Sequence, residues 1–184
     1  MAQMGFFYDM TACIGCKTCQ IACQDKNDLA PGLLFRRVTG CEGGKFPHPW
    51  VYYLSLSCNH CREPLCVSAC PTGALYKETR LGAVLIDPDK CSGCRKCRQS
   101  CPYGNIYIDE ASGKAVKCDM CEGLVAAGEE PACTGSCVMR ALRFGPLDEF
   151  ETKCGGTKDV KALPASSITG PSMVIIPKPE AIGP

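Results

Sequence analysis

A loop-rich α+β fold, built as two ferredoxin-like modules of short strands and helices with an extended C-terminal tail, is what this sequence predicts. Three observations lead there. Cysteine fills 18 of 184 positions, roughly a tenth, the density at which cysteine itself becomes the scaffold. Once those cysteines are set aside only about a third of the chain is apolar, thin support for a conventional core. The cysteines also fall into four groups of matching spacing, so the chain repeats itself.

The groups follow one another along the chain. Cys13, Cys16, Cys19 and Cys23 are spaced C-x2-C-x2-C-x3-C, and Cys58, Cys61, Cys66 and Cys70 widen the middle gap to four residues. Cys91, Cys94, Cys97 and Cys101 return to the first spacing, while Cys118 and Cys121 stand eleven residues before Cys133 and Cys137. Every group opens on C-x2-C and closes on C-x3-C, leaving Cys41 and Cys154 over as plain buried or surface thiols. Between the groups, the apolar stretches 51–56 and 83–86 read as strands. Residues 17–28, 63–70, 95–101 and 118–127 read as short helices, some beginning inside cysteine loops. Past Glu149 the composition changes to Gly155-Gly156, Pro164, Ser166-Ser167, Pro171, Pro177, Pro179 and Pro184, which reads as an extended tail. Its apolar residues 173–176 fit equally a partner's surface or an edge strand of this domain.

The spacing carries a chemistry. A C-x2-C-x2-C loop can wrap three thiolates onto three corners of a cubane cluster while backbone N–H groups point at the sulfides, and the fourth cysteine, opening a helix that leads away, reaches the other cluster of a pair. Pro71 after Cys70 and Pro102 after Cys101 reproduce the C-P ending of bacterial two-cluster ferredoxins. Structural zinc needs four ligands and gains nothing from a C-x2-C-x2-C triplet. Disulfides fit poorly between cysteines two apart in a chain without a secretory signal. A Rieske centre needs paired histidines, and the chain has only His48 and His60. His60, between Cys58 and Cys61, reads as a neighbour of a cluster rather than a ligand.

Charge excludes some partners. With 20 basic and 19 acidic residues the net charge is +1, which is no nucleic-acid surface. No apolar run approaches the ~20 residues that span a bilayer, so no direct membrane span is expected. Four oxidised clusters with their thiolates would take the chain from +1 to about −7. Lys17, Arg95, Lys96 and Arg98 lie inside the first and third groups, where no acid stands, and read as cations that raise cluster potentials. No Ser-His-Asp set, phosphate loop or acid–base histidine appears, so the chain is expected to have no substrate chemistry of its own.

These residues resemble the four-cluster iron–sulfur subunits of the molybdopterin oxidoreductases, most closely the dimethyl-sulfoxide reductase group. The motifs are Gly5-Phe6-Phe7, Cys13-Ile14-Gly15-Cys16-Lys17-Thr18-Cys19, Phe35-Arg36-Arg37, Ser57-Cys58-Asn59-His60-Cys61, Cys70-Pro71-Thr72-Gly73-Ala74, Cys101-Pro102-Tyr103-Gly104, Lys117-Cys118-Asp119-Met120-Cys121 and Arg140-Ala141-Leu142. The resemblance covers about residues 5–148. It implies a four-cluster domain over 1–148, one module being 1–50 plus 110–148 and the other 51–109, with a partner-contacting tail over 149–184. It also implies four [4Fe–4S] clusters. Cys13, Cys16, Cys19 and Cys137 would hold one, and Cys23, Cys118, Cys121 and Cys133 its pair. Cys58, Cys61, Cys66 and Cys101 would hold another, with Cys70, Cys91, Cys94 and Cys97 on the fourth. Val138 stands after Cys137 where the family often has proline, which leaves that turn open.

The implied function is electron transfer between a quinol-side donor and a large molybdopterin subunit that reduces a terminal acceptor. The pterin belongs to that partner, and a membrane-anchor subunit completes many such complexes. A second reading keeps the wire but places it in a formate- or hydrogen-oxidising complex, or in a soluble transhydroxylase or dehydroxylase. A third, a zinc-stabilised interaction module, would give a colourless protein. The expected location is the outer face of the cytoplasmic membrane, reached by co-export with the catalytic partner, with the cytoplasm as the alternative.

Overall fold

The computed structural model describes residues 3–182; the outermost residues of the expected domain and tail, Pro184 among them, lie outside the described residues. Along the chain come β1 (Met4–Asp9), α1 (Thr18–Lys26), a hairpin of β2 (Arg37–Lys45) and β3 (His48–Leu56), α2 (Leu65–Ser68), and a ribbon of β4 (Leu75–Lys77) and β5 (Val84–Ile86). Then follow α3 (Lys96–Ser100), a second ribbon of β6 (Tyr107–Ile108) and β7 (Ala115–Val116), α4 (Glu122–Ala126), α5 (Ala132–Gly135), β8 (Leu142–Pro146), α6 (Leu147–Lys153) and β9 (Met173–Ile176). The fold is α+β and rich in loops, as the sequence predicts. The expected helices are present but shorter, and the fourth, expected over 118–127, begins only at Glu122 because Cys118 and Cys121 stay in their loop.

β1 reads Met-Gly-Phe-Phe-Tyr-Asp, and Phe6, Phe7 and Tyr8 are all buried. A strand apolar on both faces has to be central. β1 is flanked by β8, antiparallel with Phe6 opposite Phe144, and by β9, parallel with Phe7 beside Val174. Phe6 and Tyr8 enter a large core with Met10, Phe35, Leu54, Leu142 and Ile175, while Phe7 enters a small one with Leu147, Phe150 and Val174. Gly5 is required by close approach, since a Cβ there would lie 2.6 Å from the Ser172 carbonyl oxygen.

Residues 149–182 are therefore not the extended, partner-contacting tail the sequence predicts; of the two readings offered for 173–176, the edge strand of this domain is the one observed. The segment begins inside α6, which packs on the sheet, and returns to donate β9, whose Ile175 is 0 % exposed. The reason is that β1 needs its second edge paired and both faces covered; the apolar residues 173–176 meet that need within the chain. The β2–β3 hairpin also runs continuously from Arg37 to Leu56, so paired strands cross the module boundary expected at residue 50. A further core of Leu75, Val84, Ile106 and Ala115 gathers Cys66 and Cys97 around the two short ribbons.

Candidate metal centres

The four Cys-x-x-Cys loops share one backbone device. The residue just before the second cysteine is left-handed in each: Gly15 (φ 71°), His60 (φ 42°), Gly93 (φ 71°) and Met120 (φ 63°). A left-handed residue in such a loop curls the backbone so that successive N–H groups can face one concavity, the geometry that receives anions and iron–sulfur centres. Glycine adopts this freely at two of the loops. His60 and Met120 bear its cost, and both are fully buried, so their side chains serve the packing. The His60 Nδ1 accepts the Val84 N–H at 2.9 Å, and burial first, then Lys117 and Lys77 nearby, hold the imidazole well below its ordinary pKa and hence neutral. With Nδ1 accepting, the proton sits on Nε2, which has no partner among the described residues.

Sequence-distant thiols meet in these loops. Cys13, Cys16 and Cys19 line one cavity with Cys137, walled by Tyr8, Val38, Leu142 and Ile14. Elsewhere the mutual electrostatic influence of the thiols shows which lie together. Burial pushes the Cys66 thiol up to about 12, with Cys58, Cys101 and Cys61 adding to it. Burial likewise pushes Cys23 up to about 11, with Cys133 and Cys121 contributing. Cys97 is raised by burial and by Cys70, Cys91 and Cys94. Burial raises Cys118 well above its ordinary value, and both Cys58 and Cys23 add to it. Crowded, buried thiols hold their protons until a cation replaces them.

Donors surround the sulfurs. The Met120 N–H points to Cys118 Sγ at 3.4 Å and the Ala115 N–H to Cys91 Sγ at 3.5 Å, while the Thr18 hydroxyl donates to Cys16 Sγ at 3.4 Å. Among the described residues no three His, Cys, Asp or Glu side chains converge tightly enough for a single metal ion. A cubane asks instead for thiols spread around a larger body with N–H donors facing it, and these residues fit that group.

Lys17, Arg95, Lys96 and Arg98 are all exposed, where water screens their charge. The deeply buried cations are Arg36, 1 % exposed, and Lys117, 6 % exposed. Lys117 Nζ donates to the Cys118 carbonyl at 2.6 Å and to the Val84 carbonyl. Lys77, half-buried, donates to the carbonyls of Cys61 at 2.7 Å and Gly82 at 2.9 Å. Sequence reasoning passed over these three, although Arg36 and Lys117 stand in the Phe35-Arg36-Arg37 and Lys117-Cys118 motifs. An arginine directly after a buried phenylalanine was the available signal. Cys41 and Cys154 stay outside the thiol groups, and Arg143 donates to Cys154 Sγ at 3.8 Å.

Comparison with known proteins places the chain. The family described as "4Fe-4S dicluster domain" matches residues 49–147, and "4Fe-4S binding domain" matches residues 10–26. The B subunit of the anaerobic dimethyl sulfoxide reductase of Escherichia coli K12 is 45% identical over 183 residues, spanning 95% of this chain and 89% of that one. Its counterpart in Haemophilus influenzae is 40% identical, spanning 96% and 90%. Protein NrfC of Escherichia coli K12 is 37% identical over 149 residues, spanning 80% and 67%.

Proposed function

The chain belongs to the family of iron–sulfur subunits typified by the B subunit of anaerobic dimethyl sulfoxide reductase, and from that membership we propose that it carries four [4Fe–4S] clusters for a molybdopterin catalytic partner. It is a 4Fe-4S electron-transfer protein. Its ligand sets are Cys13, Cys16, Cys19 and Cys137; Cys23, Cys118, Cys121 and Cys133; Cys58, Cys61, Cys66 and Cys101; and Cys70, Cys91, Cys94 and Cys97. The observation that carries this reading is the shared cavity of Cys137 with Cys13, Cys16 and Cys19. More than a hundred residues of chain separate Cys137 from that triplet, and their shared cavity supports a crossed ligand scheme.

When bound, each cluster supplies a one-electron carrier. The chain supplies thiolates, inward N–H groups that support the added negative charge, and an apolar wall that keeps water back. Cys16 and Cys94 are the exposed members of the first and third groups, which gives the wire an opening at each end. Between them Cys118 lies near Cys58, so the two modules adjoin at buried sulfur. No helix is long and apolar enough to cross a membrane among the described residues, so a membrane-anchor partner would provide the quinol side. The chain acts in complex and reduces no substrate alone. We place it at the outer face of the cytoplasmic membrane, exported folded with its partner, because clusters are built before free thiols meet an oxidising compartment.

Iron and acid-labile sulfide analysis of the anaerobically purified complex tests this. About sixteen irons attributable to this chain are expected. Twelve or fewer at full occupancy, or a colourless zinc protein, would overturn the four-cluster reading.

A further inference from the structure

Arg36 poses a problem of charge. It precedes β2 and is buried at 1 % exposure, yet forms no salt bridge among the described residues. Its polar partners are neutral. Nη2 donates to the Ser57 hydroxyl at 2.9 Å, and Nη1 to the Ser55 hydroxyl at 3.2 Å and the Ser55 carbonyl at 3.4 Å. One face lies over the Phe6 ring at 4.9 Å, and Nε has no partner among the described residues. A guanidinium cannot shed its charge, and leaving one uncompensated in an interior is strongly unfavourable. Some anion has to answer it.

The thiols around it supply that anion once they hold iron. Burial works against the Arg36 charge, but Cys133, Cys19, Cys118 and Cys23 outweigh it and raise the pKa above its ordinary value. Cys19 belongs to the first ligand set proposed above, and Cys23, Cys118 and Cys133 to the second. The two serine hydroxyls hold the guanidinium in place without neutralising it. Ser55 also meets Cys19 Sγ at 3.6 Å.

We propose that Arg36 is the buried counter-cation shared by the two clusters of the first module, a positioning residue that favours their reduced states and so raises both of their potentials. The proposal rests on the ligand sets assigned under the function above. A reduced cluster carries one more negative charge, so a fixed cation beside it stabilises reduction, and removing that cation lowers the potential. The exposed Lys17, Arg95, Lys96 and Arg98 cannot do this as strongly, because solvent screens them.

The test is an electron paramagnetic resonance redox titration of the purified complex with Arg36→Gln and with Arg36→Lys. Arg36→Gln should lower two of the four midpoints by at least tenfold in the reduction equilibrium, about 59 mV for one electron, and leave the other two in place. Arg36→Lys keeps the charge and should restore both. Four unmoved midpoints in an iron-replete Arg36→Gln complex overturn the proposal, and so does an Arg36→Lys complex shifted as far as Arg36→Gln. Should Arg36→Gln lose iron, Arg36→Lys decides: full iron with native midpoints supports the charge, and equal iron loss refutes it. A wild-type complex short of sixteen irons would count against the ligand reading instead, which separates the two failures.

Discussion

Phe7 stands beside Val174 in parallel register, so the first strand of the chain is completed by the last. Both side chains are buried in the small core with Leu147 and Phe150, and the Arg143 guanidinium covers the Phe7 ring at 4.1 Å. Residues 149–182 are on this account part of the folding unit.

Val174→Asp should therefore destabilise the cluster-loaded chain by about 3 kcal/mol or more, because it buries an unpaired carboxylate. Ile182→Asp, at an exposed position of the same segment, should change little. Thermal denaturation of the two variants within the complex checks the contrast, and equal melting points would mean that β9 contributes nothing.

Gly15→Ala should cost the first ligand set its cluster. A Cβ at Gly15 would lie 2.3 Å from the Tyr53 ring, on a backbone at φ 71°. At Gly73 the φ is 65° but the space is open, so Gly73→Ala bears only the left-handed penalty of about 1–2 kcal/mol. Iron analysis should find about four irons missing from the Gly15 variant and none from the Gly73 variant.

Cys137→Ser and Cys154→Ser separate ligand from bystander. Cys137 shares a cavity with Cys13, Cys16 and Cys19, whereas Cys154 ends α6 beside Arg143. The first variant should disturb one cluster's spectrum and leave the other three; the second should retain full iron. The opposite pattern would redraw the ligand sets.

Cys94→Ser removes an exposed thiol and should leave its corner iron labile, giving a three-iron cluster. Such a cluster is paramagnetic when oxidised, and an oxidised four-iron cluster is normally not, so resonance on the oxidised variant reads the change directly. Unaltered iron content with no new signal would remove Cys94 from the ligands.

Spacing alone was enough to read the chemistry, because ligand loops are local: three thiolates within seven residues need only a short turn to face one body. Gly15 and Gly93 announce that turn in the sequence. His60 and Met120 do not, since they adopt the same left-handed backbone only because buried neighbours hold them there. The short strands at Val84–Ile86 and within His48–Leu56 were legible from apolar runs. β1, β8 and α6 were not anticipated, whereas an edge strand over 173–176 was one of the two expected readings of that stretch.

By itself the sequence determined the four cysteine groups, the α+β class, the 4Fe-4S identity and the electron-transfer role, all of which rest on neighbours along the chain. Only the tertiary structure decided that β9 closes the sheet on β1 rather than lying on a partner, and that the deeply buried cations are Arg36 and Lys117 rather than the four exposed ones inside the groups. Burial and electrostatic screening depend on what surrounds a side chain in space. For Arg36 those surroundings come from β1, the end of β3 and the cysteine loops, segments far apart in sequence that packing alone brings together.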